Sequence, residues 1–304
     1  MTGPGSRHVW IDGRLLPAEG LQLSAFDRAF QLGDGIFETL RGHGGHVIEL
    51  ADHMARLRRS AAGLDIELPE DADEAIEHGI GELLHADGYD GPAADASLRI
   101  TVSRGAFRGR GLLPPDEVVV PTIVIQAWPI DPTPARHLER GLHLAISAVR
   151  RDPSNPLATL KTVSRADYVF ARLEARRAGA DDALFLTLDG HLSEATTSNI
   201  FLVRRAPDGG QELATPSLDC AILPGTTRSW LLAWGARVGL RPVESRLLPA
   251  DLLAAEEAFL SSSVAGILPV TRLDGTAIGS GVPGPWARQA RADREAMIRD
   301  GADR

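Results

Sequence analysis

Apolar residues recur along the first half of the chain with two different periods, and each period predicts one kind of element. Residues 50–63 and 72–86 repeat apolar residues at a spacing near 3.6, which predicts two helices. Apolar patterns predict strands at residues 8–11, 98–103 and 118–128, and residues 33–41 indicate a glycine turn that enters another strand. The Gly- and Arg-rich residues 105–115 and the Pro-rich residues 131–135 show neither period, so we expect a loop and an interdomain linker there.

The second half of the chain mixes the same two patterns. Apolar stretches predict strands at residues 142–148, 183–188, 200–203 and 258–263, with a turn at 189–190 that suggests a hairpin between the second and third of them. Helical periodicity or helix start signals predict helices at residues 165–179, 226–239 and 282–304.

Composition narrows the class of protein. The chain has 304 residues, enough for two domains, and its 43% hydrophobic and 24% charged residues are ordinary for a globular protein. A net charge of −9 without a basic patch argues against nucleic acid and anionic membranes as partners. We find neither a signal-peptide core nor an apolar run of the roughly 18 residues that a membrane span needs. With a single cysteine, Cys220, we expect a reducing cytoplasmic location.

Lysine is nearly absent from the chain. Lys161 is the only lysine, and all other residues in the Lys+Arg total of 32 are arginines. A guanidinium group cannot form an imine, whereas a neutral amine can attack a carbonyl compound such as an aldehyde cofactor. Lys161 follows the stretch LATL, and apolar surroundings favour the neutral amine. Chance survival of one lysine at a neutral site is the alternative that composition leaves open.

Three further segments carry candidate binding residues, each with an ordinary structural alternative. Glu194 in GHLSEATTSNIF is suited to hold a protonated ring nitrogen, or it is a solvated acid near a turn. Thr226 and Thr227 open a helix in LPGTTR, where free N–H groups bind anions or the hydroxyl groups cap the helix. Arg56 in HMARLRR is suited to a bidentate phosphate contact, or it lies on a solvated helix face.

The remaining candidates are weaker. Arg108 and Arg110 lie in the loop GAFRGRG, where they are placed to receive a substrate carboxylate or are simply surface arginines. Ser262 and Ser263 add hydroxyl groups at the predicted end of a strand. The chain has no GxGxxG before a helix, no Walker loop and no HExxH motif, and we expect no metal site.

The order of these segments is more specific than any one of them. FDRAFQLGDGIFETLR, HMARL, LKTVSRADY, LSEATTSNIF, LPGTTR and FLSSSVAGILPV follow one another as in the class IV aminotransferases, which the chain resembles from about residue 8 to 275. These are the fold-type IV pyridoxal phosphate enzymes. The resemblance implies a two-domain α/β fold, with a small α/β domain at residues 1–127, a linker at 128–136, and a large cofactor-binding domain with a β-barrel-like core at 137–304.

The resemblance also implies pyridoxal 5′-phosphate as the cofactor, a homodimer as the assembly, and a role for each matching residue. Lys161 matches the Schiff-base lysine, Glu194 the partner of the pyridine nitrogen, and Arg56 an arginine at the phosphate. Residues expected to hold the cofactor are Arg56, Lys161, Glu194, Thr226, Thr227, Ser262 and Ser263. Those expected at the substrate are Phe37, Thr39, Arg108 and Arg110.

Departures from known subfamilies leave the substrate open. Branched-chain L-amino acid enzymes carry a Tyr five residues after the lysine, where this chain has Ala166, with Tyr168 two residues further. Their Tyr-x-Arg strand pattern is replaced by residues 97–99, Ser-Leu-Arg, and the Arg-x-His of D-amino acid enzymes is replaced by arginines alone. We favour a transaminase that moves an amino group between a D-amino acid, or an (R)-amine, and a 2-keto acid. The alternatives are an aminodeoxychorismate lyase, which forms 4-aminobenzoate and pyruvate, and a branched-chain L-amino acid aminotransferase.

Two hypotheses belong to other classes. A cofactor-free Schiff-base lyase would use Lys161 without a phosphate anchor and would be colourless. A non-enzymatic binding module would keep its ligand affinity after Lys161→Ala. Visible absorbance of the purified protein, with a change on addition of an amine donor, separates both from an enzyme that uses pyridoxal phosphate.

Overall fold

The computed structural model describes residues 6–114, 119–130, 132–133 and 135–301. The chain divides into two units. The N-terminal unit contains Met1–Asp131, Leu160–Ser164 and Gly301–Arg304, and the C-terminal unit contains Pro132–Thr159 and Arg165–Asp300. The short segment Leu160–Ser164 therefore belongs to the N-terminal unit, although the residues on both sides of it belong to the other.

The N-terminal unit is an antiparallel sheet with helices. Its strands are β1 (His8–Ile11), β2 (Arg14–Pro17), β3 (Gly35–His43), β4 (His46–Val47), β5 (Asp95–Ser103) and β6 (Thr122–Pro129). Its helices are α1 (Arg28–Leu32), α2 (Leu50–Gly63) and α3 (Ala72–Asp87). The strand order is β2-β1-β6-β5-β3-β4, and every neighbouring pair is antiparallel.

One face of this sheet forms the core of the N-terminal unit. Every second residue of β5 and β6 is buried, as expected for a sheet with one covered face. Those residues pack with the apolar positions of α2 and α3, including Leu57 and Leu83. Gly79 lets α3 approach the sheet closely, because a Cβ there would lie 2.5 Å from the ring of the buried Trp10.

The C-terminal unit contains a larger, mixed sheet. Its strands are β7 (Leu142–Arg151), β8 (Asp182–Thr187), β9 (Leu192–Ala195), β10 (Asn199–Arg205), β11 (Gln211–Pro216), β12 (Arg241–Ser245), β13 (Glu257–Ser262), β14 (Gly266–Leu273) and β15 (Thr276–Ala277). Its helices are α4 (Ala135–Glu139), α5 (Ala166–Arg177), α6 (Thr226–Arg237), α7 (Pro249–Leu253) and α8 (Pro285–Asp300), with a 3₁₀ turn at Leu218–Cys220.

The large sheet curls on itself. Its order is β12-β11-β10-β13-β14-β7-β8-β9 with β15 beside β14, yet the terminal strand β9 also lies against β10 and β11. Leucines such as Leu144, Leu184 and Leu192 fill the inside of the curl, while α6 and α8 cover a second cluster that includes Phe201 and Phe259. The expected fold is confirmed: a two-domain α/β protein whose larger part has a barrel-like core.

The predicted elements are mostly present, with two differences. The hairpin between residues 183–188 and 200–203 is wrong, because β8 pairs with β7 and β9, whereas β10 pairs with β11 and β13. The strand expected at 118–128 starts later, at Thr122, and residue 118 lies outside the described residues. Parts of three other predicted segments also fall outside them: residue 115 of the loop, residues 131 and 134 of the linker, and residues 302–304 of the last helix.

Candidate active site

The backbone of Lys161 is fixed at both of its polar groups within the N-terminal unit. Its N–H donates to Ser60 Oγ of α2 at 3.1 Å, and its carbonyl accepts the N–H of Phe37 of β3 at 2.9 Å. Val163 N–H donates to Gly35 O at 2.9 Å, so the segment runs antiparallel beside β3. These bonds hold the only lysine of the chain at one defined place on the sheet.

Two cationic groups lie against the ring of Phe37. Lys161 Nζ is 4.7 Å from the ring centroid and Arg99 Cζ is 3.9 Å from it, both within cation–π range. Phe37 and Thr39 share one face of β3 because side chains alternate along a strand, and Arg99 of β5 pairs directly with Thr39. A carboxylate beside Lys161 would therefore meet a guanidinium group on the same face.

Arg56 belongs to a buried charged cluster on the other face of β3. Its Nε donates to Glu38 Oε1 at 2.8 Å and its terminal nitrogen donates to Glu38 Oε2 at 2.7 Å. His53 Nδ1 also lies 2.8 Å from Glu38 Oε2. Glu38 and His53 are fully buried and Arg56 is only 3% exposed. The solvated-face alternative for Arg56 is therefore wrong.

The charge of Glu38 is strongly stabilised. Burial by itself raises the pKa of this carboxyl, but hydrogen bonds from Arg56 and His53 and the positive charges of Arg56 and Lys161 lower the pKa to about 2. Glu38 is thus a carboxylate at every working pH. It links Arg56 electrostatically to Lys161.

In the C-terminal unit, Glu194 is a buried residue of β9 and not a solvated turn acid. Its Oε1 accepts the hydroxyl of Tyr168 at 3.2 Å, and its Oε2 accepts the N–H of Leu223 at 2.9 Å. Arg151 approaches Oε1 to 3.8 Å. Asn199 Nδ2 donates to the carbonyl of Leu223 at 3.0 Å, so Leu223 is held through both backbone polar groups.

The first turn of α6 is shaped for an anion. Gly225 is its N-cap and no side chain caps it, so the N–H groups of the first turn point toward whatever lies beyond the helix end. A Cβ at Gly225 would lie 2.2 Å from Asn199 Oδ1, so any larger residue here would displace the Asn199 side chain. Thr226 Oγ1 lies 3.3 Å from Ser263 Oγ, which brings two of the predicted phosphate residues together.

Two buried atoms at this helix end, Thr227 Oγ1 and Arg228 Nε, have no hydrogen-bond partner among the described residues. Thr227 itself is only 2% exposed. Burying an unpaired hydroxyl group is costly, so a ligand or a water molecule that binds here would satisfy this one. The helix dipole, the glycine N-cap and this hydroxyl group fit a phosphate group.

The other predicted residues lie apart from these clusters or have other contacts. Ser262 Oγ accepts the N–H of Ala265 within a turn. Arg108 and Arg110 are exposed, and Arg108 Cζ lies 5.9 Å from the ring of Phe26. Their loop is anchored by the buried Arg28, which donates to the carbonyl of Leu112 at 2.8 Å.

Sequence patterns did not assign roles to several residues that the structure places in these clusters. Glu38, His53 and Arg99 lie beside motif residues, and His53 is the first residue of the HMAR run that contains Arg56. Tyr168 and Arg151 contact Glu194 from distant parts of the sequence. Only the i, i+3 spacing of His53 and Arg56 on a helix was a visible signal.

Known proteins share this fold and these segments. Residues 35–273 match the family model of amino-transferase class IV. The chain is 31% identical over 272 residues to a putative branched-chain-amino-acid aminotransferase of Methanocaldococcus jannaschii, covering 90% of each chain. It is 30% identical over 289 residues to D-alanine aminotransferase of Bacillus licheniformis, covering 93% of this chain and 94% of the relative.

A solved structure extends the likeness to three dimensions. The T.th. branched-chain amino acid aminotransferase with pyridoxamine 5′-phosphate superimposes with a TM-score of 0.88 at 25% identity, covering 97% of this chain and 95% of that one. The chain belongs to the class IV aminotransferases. It is a pyridoxal phosphate-dependent aminotransferase of this class, and the family and the cofactor expected from the motif order are confirmed.

Across the described residues, none of the helices has the length and apolar character required to cross a membrane. Within the same part of the chain, no group of three or more His, Cys, Asp or Glu side chains is arranged to hold a metal ion.

Proposed function

We propose that the enzyme transfers an amino group from a D-amino acid, and also from (R)-amines, to a 2-keto acid. The proposal of an amino acid substrate rests on the two cationic groups, Lys161 and Arg99, that lie against the ring of Phe37. Lys161 supplies an amine at the ring, and Arg99 supplies a carboxylate-binding group on the same face. Support for the D-hand comes from the loop arginines Arg108 and Arg110 and from the likeness to D-alanine aminotransferase.

The cofactor residues are those that match the family motifs, and the contacts of each support the assignment. In the C-terminal unit we assign Thr226, Thr227 and Ser263, at the first turn of α6, to the phosphate. In the N-terminal unit Arg56, which Glu38 holds in place, keeps the phosphate role that the family motif implies. Ser262 lies next to Ser263 in the chain, and its Oγ accepts the N–H of Ala265. Glu194 is assigned to the ring nitrogen, where its negative charge keeps a proton in place.

The bound cofactor supplies an aldehyde for the amine and an aromatic ring that accepts the electrons of the broken C–H bond. Lys161 Nζ would be the group that holds the cofactor through its aldehyde, and once released it would be the base placed to take the proton from the substrate α-carbon. The same amine would then hold that proton and be able to return it as an acid. Phe37 and Thr39 line the side on which Lys161 acts.

The competing function is a branched-chain L-amino acid aminotransferase. It is favoured by the likeness to the M. jannaschii protein and by Arg99, which keeps the arginine of the Tyr-x-Arg pattern. The aminodeoxychorismate lyase alternative has only the resemblance around Thr39 and the loop of Arg108 in its favour. Both alternatives use the same Lys161 and the same cofactor.

A single-turnover spectral screen tests the proposal. Purified holoenzyme is mixed with D-alanine, L-leucine, aminodeoxychorismate, and (R)- or (S)-1-phenylethylamine, and loss of the lysine-bound cofactor absorbance is followed. We expect D-alanine to react at least about tenfold faster than L-leucine, and the (R)-amine at least about tenfold faster than the (S)-amine. Faster reaction of L-leucine would establish the branched-chain alternative, and pyruvate release from aminodeoxychorismate would establish the lyase.

The loop arginines have a test of their own. The double variant Arg108→Gln with Arg110→Gln removes both guanidinium groups from the loop. We expect the KM for D-alanine to rise at least tenfold, because a charged hydrogen bond contributes about 1.5–3 kcal/mol. The KM for (R)-1-phenylethylamine, which has no carboxylate, serves as the control and stays unchanged. Equal effects on both donors would remove these arginines from substrate binding.

We also propose a homodimer. Helix α5 turns an apolar strip outward, because Val169, Phe170 and Leu173 are exposed although their neighbours Tyr168 and Ala171 are buried. In the N-terminal unit, Phe30 is 80% exposed beside a cavity of about 490 Å³ that Leu23 and Val124 also line. Clusters of exposed, large apolar side chains such as these are typical of surfaces that bind another protein chain.

We further propose a cytoplasmic location. The sole cysteine, Cys220, is buried, and burial raises the pKa of its thiol, so it stays an unreactive thiol in a reducing compartment. Fractionation of cells that express the protein, with detection in the cytosolic fraction, tests this location.

A further inference from the structure

Among the described residues, Tyr168 is the only side chain that donates a hydrogen bond to Glu194. The Tyr168 hydroxyl donates to Oε1 at 3.2 Å, and the second donor, Leu223 N–H, is a backbone group. Arg151 is further away, at 3.8 Å. Each carboxylate oxygen accepts two hydrogen bonds, so both oxygens keep room for another donor.

Tyr168 itself is held rigidly. It is 8% exposed, and its ring packs edge-on against Phe185 with 5.2 Å between centroids. Arg165 Cζ lies 3.1 Å from the ring centroid and Arg151 Cζ lies 5.0 Å from it. These contacts hold the ring while its hydroxyl donates to Glu194. Burial and the charge of Glu194 raise the pKa of Tyr168 above its usual range, so it remains a neutral donor.

We infer that Tyr168 is a positioning residue for the reaction, which orients the Glu194 carboxylate and sets how strongly it holds the proton of the cofactor's ring nitrogen. The inference rests on the assignment of Glu194 to that nitrogen under the proposed function. A hydrogen bond from the phenol disperses the negative charge of the carboxylate, which weakens its pull on the ring proton. It also prevents the carboxylate from rotating away from the ring.

Removal of the phenol oxygen has a spectroscopic consequence. In Tyr168→Phe, the carboxylate is both more negative and less well oriented. The positive charge of the protonated ring nitrogen lowers the pKa of the imine that joins the cofactor to the lysine. A poorly oriented carboxylate holds that ring proton less firmly, and a more negative carboxylate screens its charge more. Either change therefore raises the pKa of the imine. We expect the midpoint of the visible absorbance titration to rise by ~0.5 unit or more. We expect kcat to fall about tenfold or more with little change in KM.

Tyr89→Phe is the matched control, since Tyr89 is the only other tyrosine and lies in the N-terminal unit. It removes the same oxygen without touching Glu194, so its titration midpoint and kcat stay at the wild-type values. Thermal unfolding of the cofactor-free proteins checks that both variants are folded.

A double variant separates action through Glu194 from a purely structural role. If Tyr168 works through Glu194, then adding Tyr168→Phe to Glu194→Gln changes neither the midpoint nor kcat beyond Glu194→Gln alone. Additive effects would overturn the inference. So would a Tyr168→Phe enzyme with the wild-type midpoint and kcat.

Fluorinated tyrosine tests the same bond without deleting it, and so decides the case if Tyr168→Phe does not fold. In the Tyr89→Phe background, 3-fluorotyrosine labels Tyr168 alone, and its more acidic phenol donates more strongly. The midpoint then shifts down, and the fluorine NMR resonance moves when Glu194 becomes Gln; an unmoved midpoint and resonance overturn the inference. Failure of the proposed function would look different, because wild-type protein would then show no lysine-bound cofactor absorbance to titrate.

Discussion

The residues around Lys161 keep their charges by pairing inside the protein. Arg56 and Glu38 form a two-point hydrogen-bonded pair in a place that water does not reach, with His53 as a third member. A buried pair of this kind contributes little net stability by itself, but removal of one partner leaves a buried charge without its counterion. The pair therefore fixes the direction in which Arg56 points, which is what an arginine at a phosphate requires.

Glu38→Gln tests this pairing at the residue scale. The change leaves the buried guanidinium of Arg56 without a counterion, so we expect a loss of roughly 3 kcal/mol or more in the free energy of unfolding. Urea denaturation of the cofactor-free protein measures it. Asp73→Asn is the control, because Asp73 pairs with Arg58 at the surface of the same region, and such pairs contribute less than about 1 kcal/mol. Equal effects of the two substitutions would contradict the role given to Glu38.

The same residue predicts a pH dependence with a definite sign. The pKa of Glu38 falls from 4.5 to about 2 on folding, so its stabilising contribution is complete above 4.5 and is lost as the pH falls toward 2. The stability difference between wild type and Glu38→Gln should therefore be constant above about pH 5 and shrink at lower pH. Unfolding curves at several pH values test this, and a difference that grows in acid would contradict it.

A functional residue could be predicted from sequence only when its residue type was rare in the chain or when it lay in a motif of the family. Lys161 was conspicuous because no other lysine exists, and Glu194 and Arg56 stood within runs that match a family. Tyr168 was not predictable as a partner of Glu194, since 26 residues separate them. Contacts between side chains distant in sequence depend on the packing of β9 and α5, which a one-dimensional pattern does not contain.

At the scale of elements, the N-terminus of α6 carries the clearest functional signal. A glycine N-cap, a helix dipole and two threonines at consecutive positions come together where Asn199 and Ser263 meet the helix. The sequence predicted the start of this helix at Thr226 because LPG is a strong turn signal. It did not predict β9, which has four residues and is buried on both faces, so its apolar and polar residues show no alternation.

Thr227→Val tests the phosphate site on α6. The valine keeps the shape of the side chain but removes a hydroxyl group that finds no partner among the described residues, so stability of the cofactor-free protein stays equal or rises slightly. Affinity for pyridoxal phosphate should fall about fivefold or more, since one hydrogen bond to a charged group is lost. Fluorescence or absorbance titration with pyridoxal phosphate measures the affinity.

Thr215→Val is the matched control, for which we expect lower stability and unchanged affinity for pyridoxal phosphate. Thr215 is fully buried and its hydroxyl donates to Ile200 O at 2.7 Å, so this change lowers stability without a direct effect on the phosphate. Unchanged cofactor affinity in Thr227→Val would remove that hydroxyl group from the site.

At the scale of the whole molecule, the chain has two units and carries apolar surface on each. The fold class was predictable because six motifs follow one another in a known order, whereas the strand partners of β8 and β10 were not. Strand pairing is set by the curl of the large sheet and by its parallel pairs, which join residues far apart in sequence. The domain limits 1–127, 128–136 and 137–304 stay a prediction about which parts fold on their own.

Phe170→Glu tests the proposed dimer. A charge in the apolar strip of α5 should convert the wild-type particle, with twice the 32.5 kDa of one chain, into a single-chain particle. Light scattering after size-exclusion chromatography gives the mass. Leu188→Glu is the control, because Leu188 is exposed on a turn away from α5 in sequence and its replacement should leave the dimer intact. A wild-type protein that is monomeric at micromolar concentration would contradict the proposal.

The central claim is that Lys161 forms a covalent bond with pyridoxal phosphate. Borohydride reduction of the holoenzyme, followed by proteolysis and mass spectrometry, tests it directly, because Lys161 offers the only ε-amino group in the chain. We predict one modified peptide that contains Lys161, and its complete loss in Lys161→Arg. An unmodified Lys161 peptide in a yellow, active enzyme would contradict the claim.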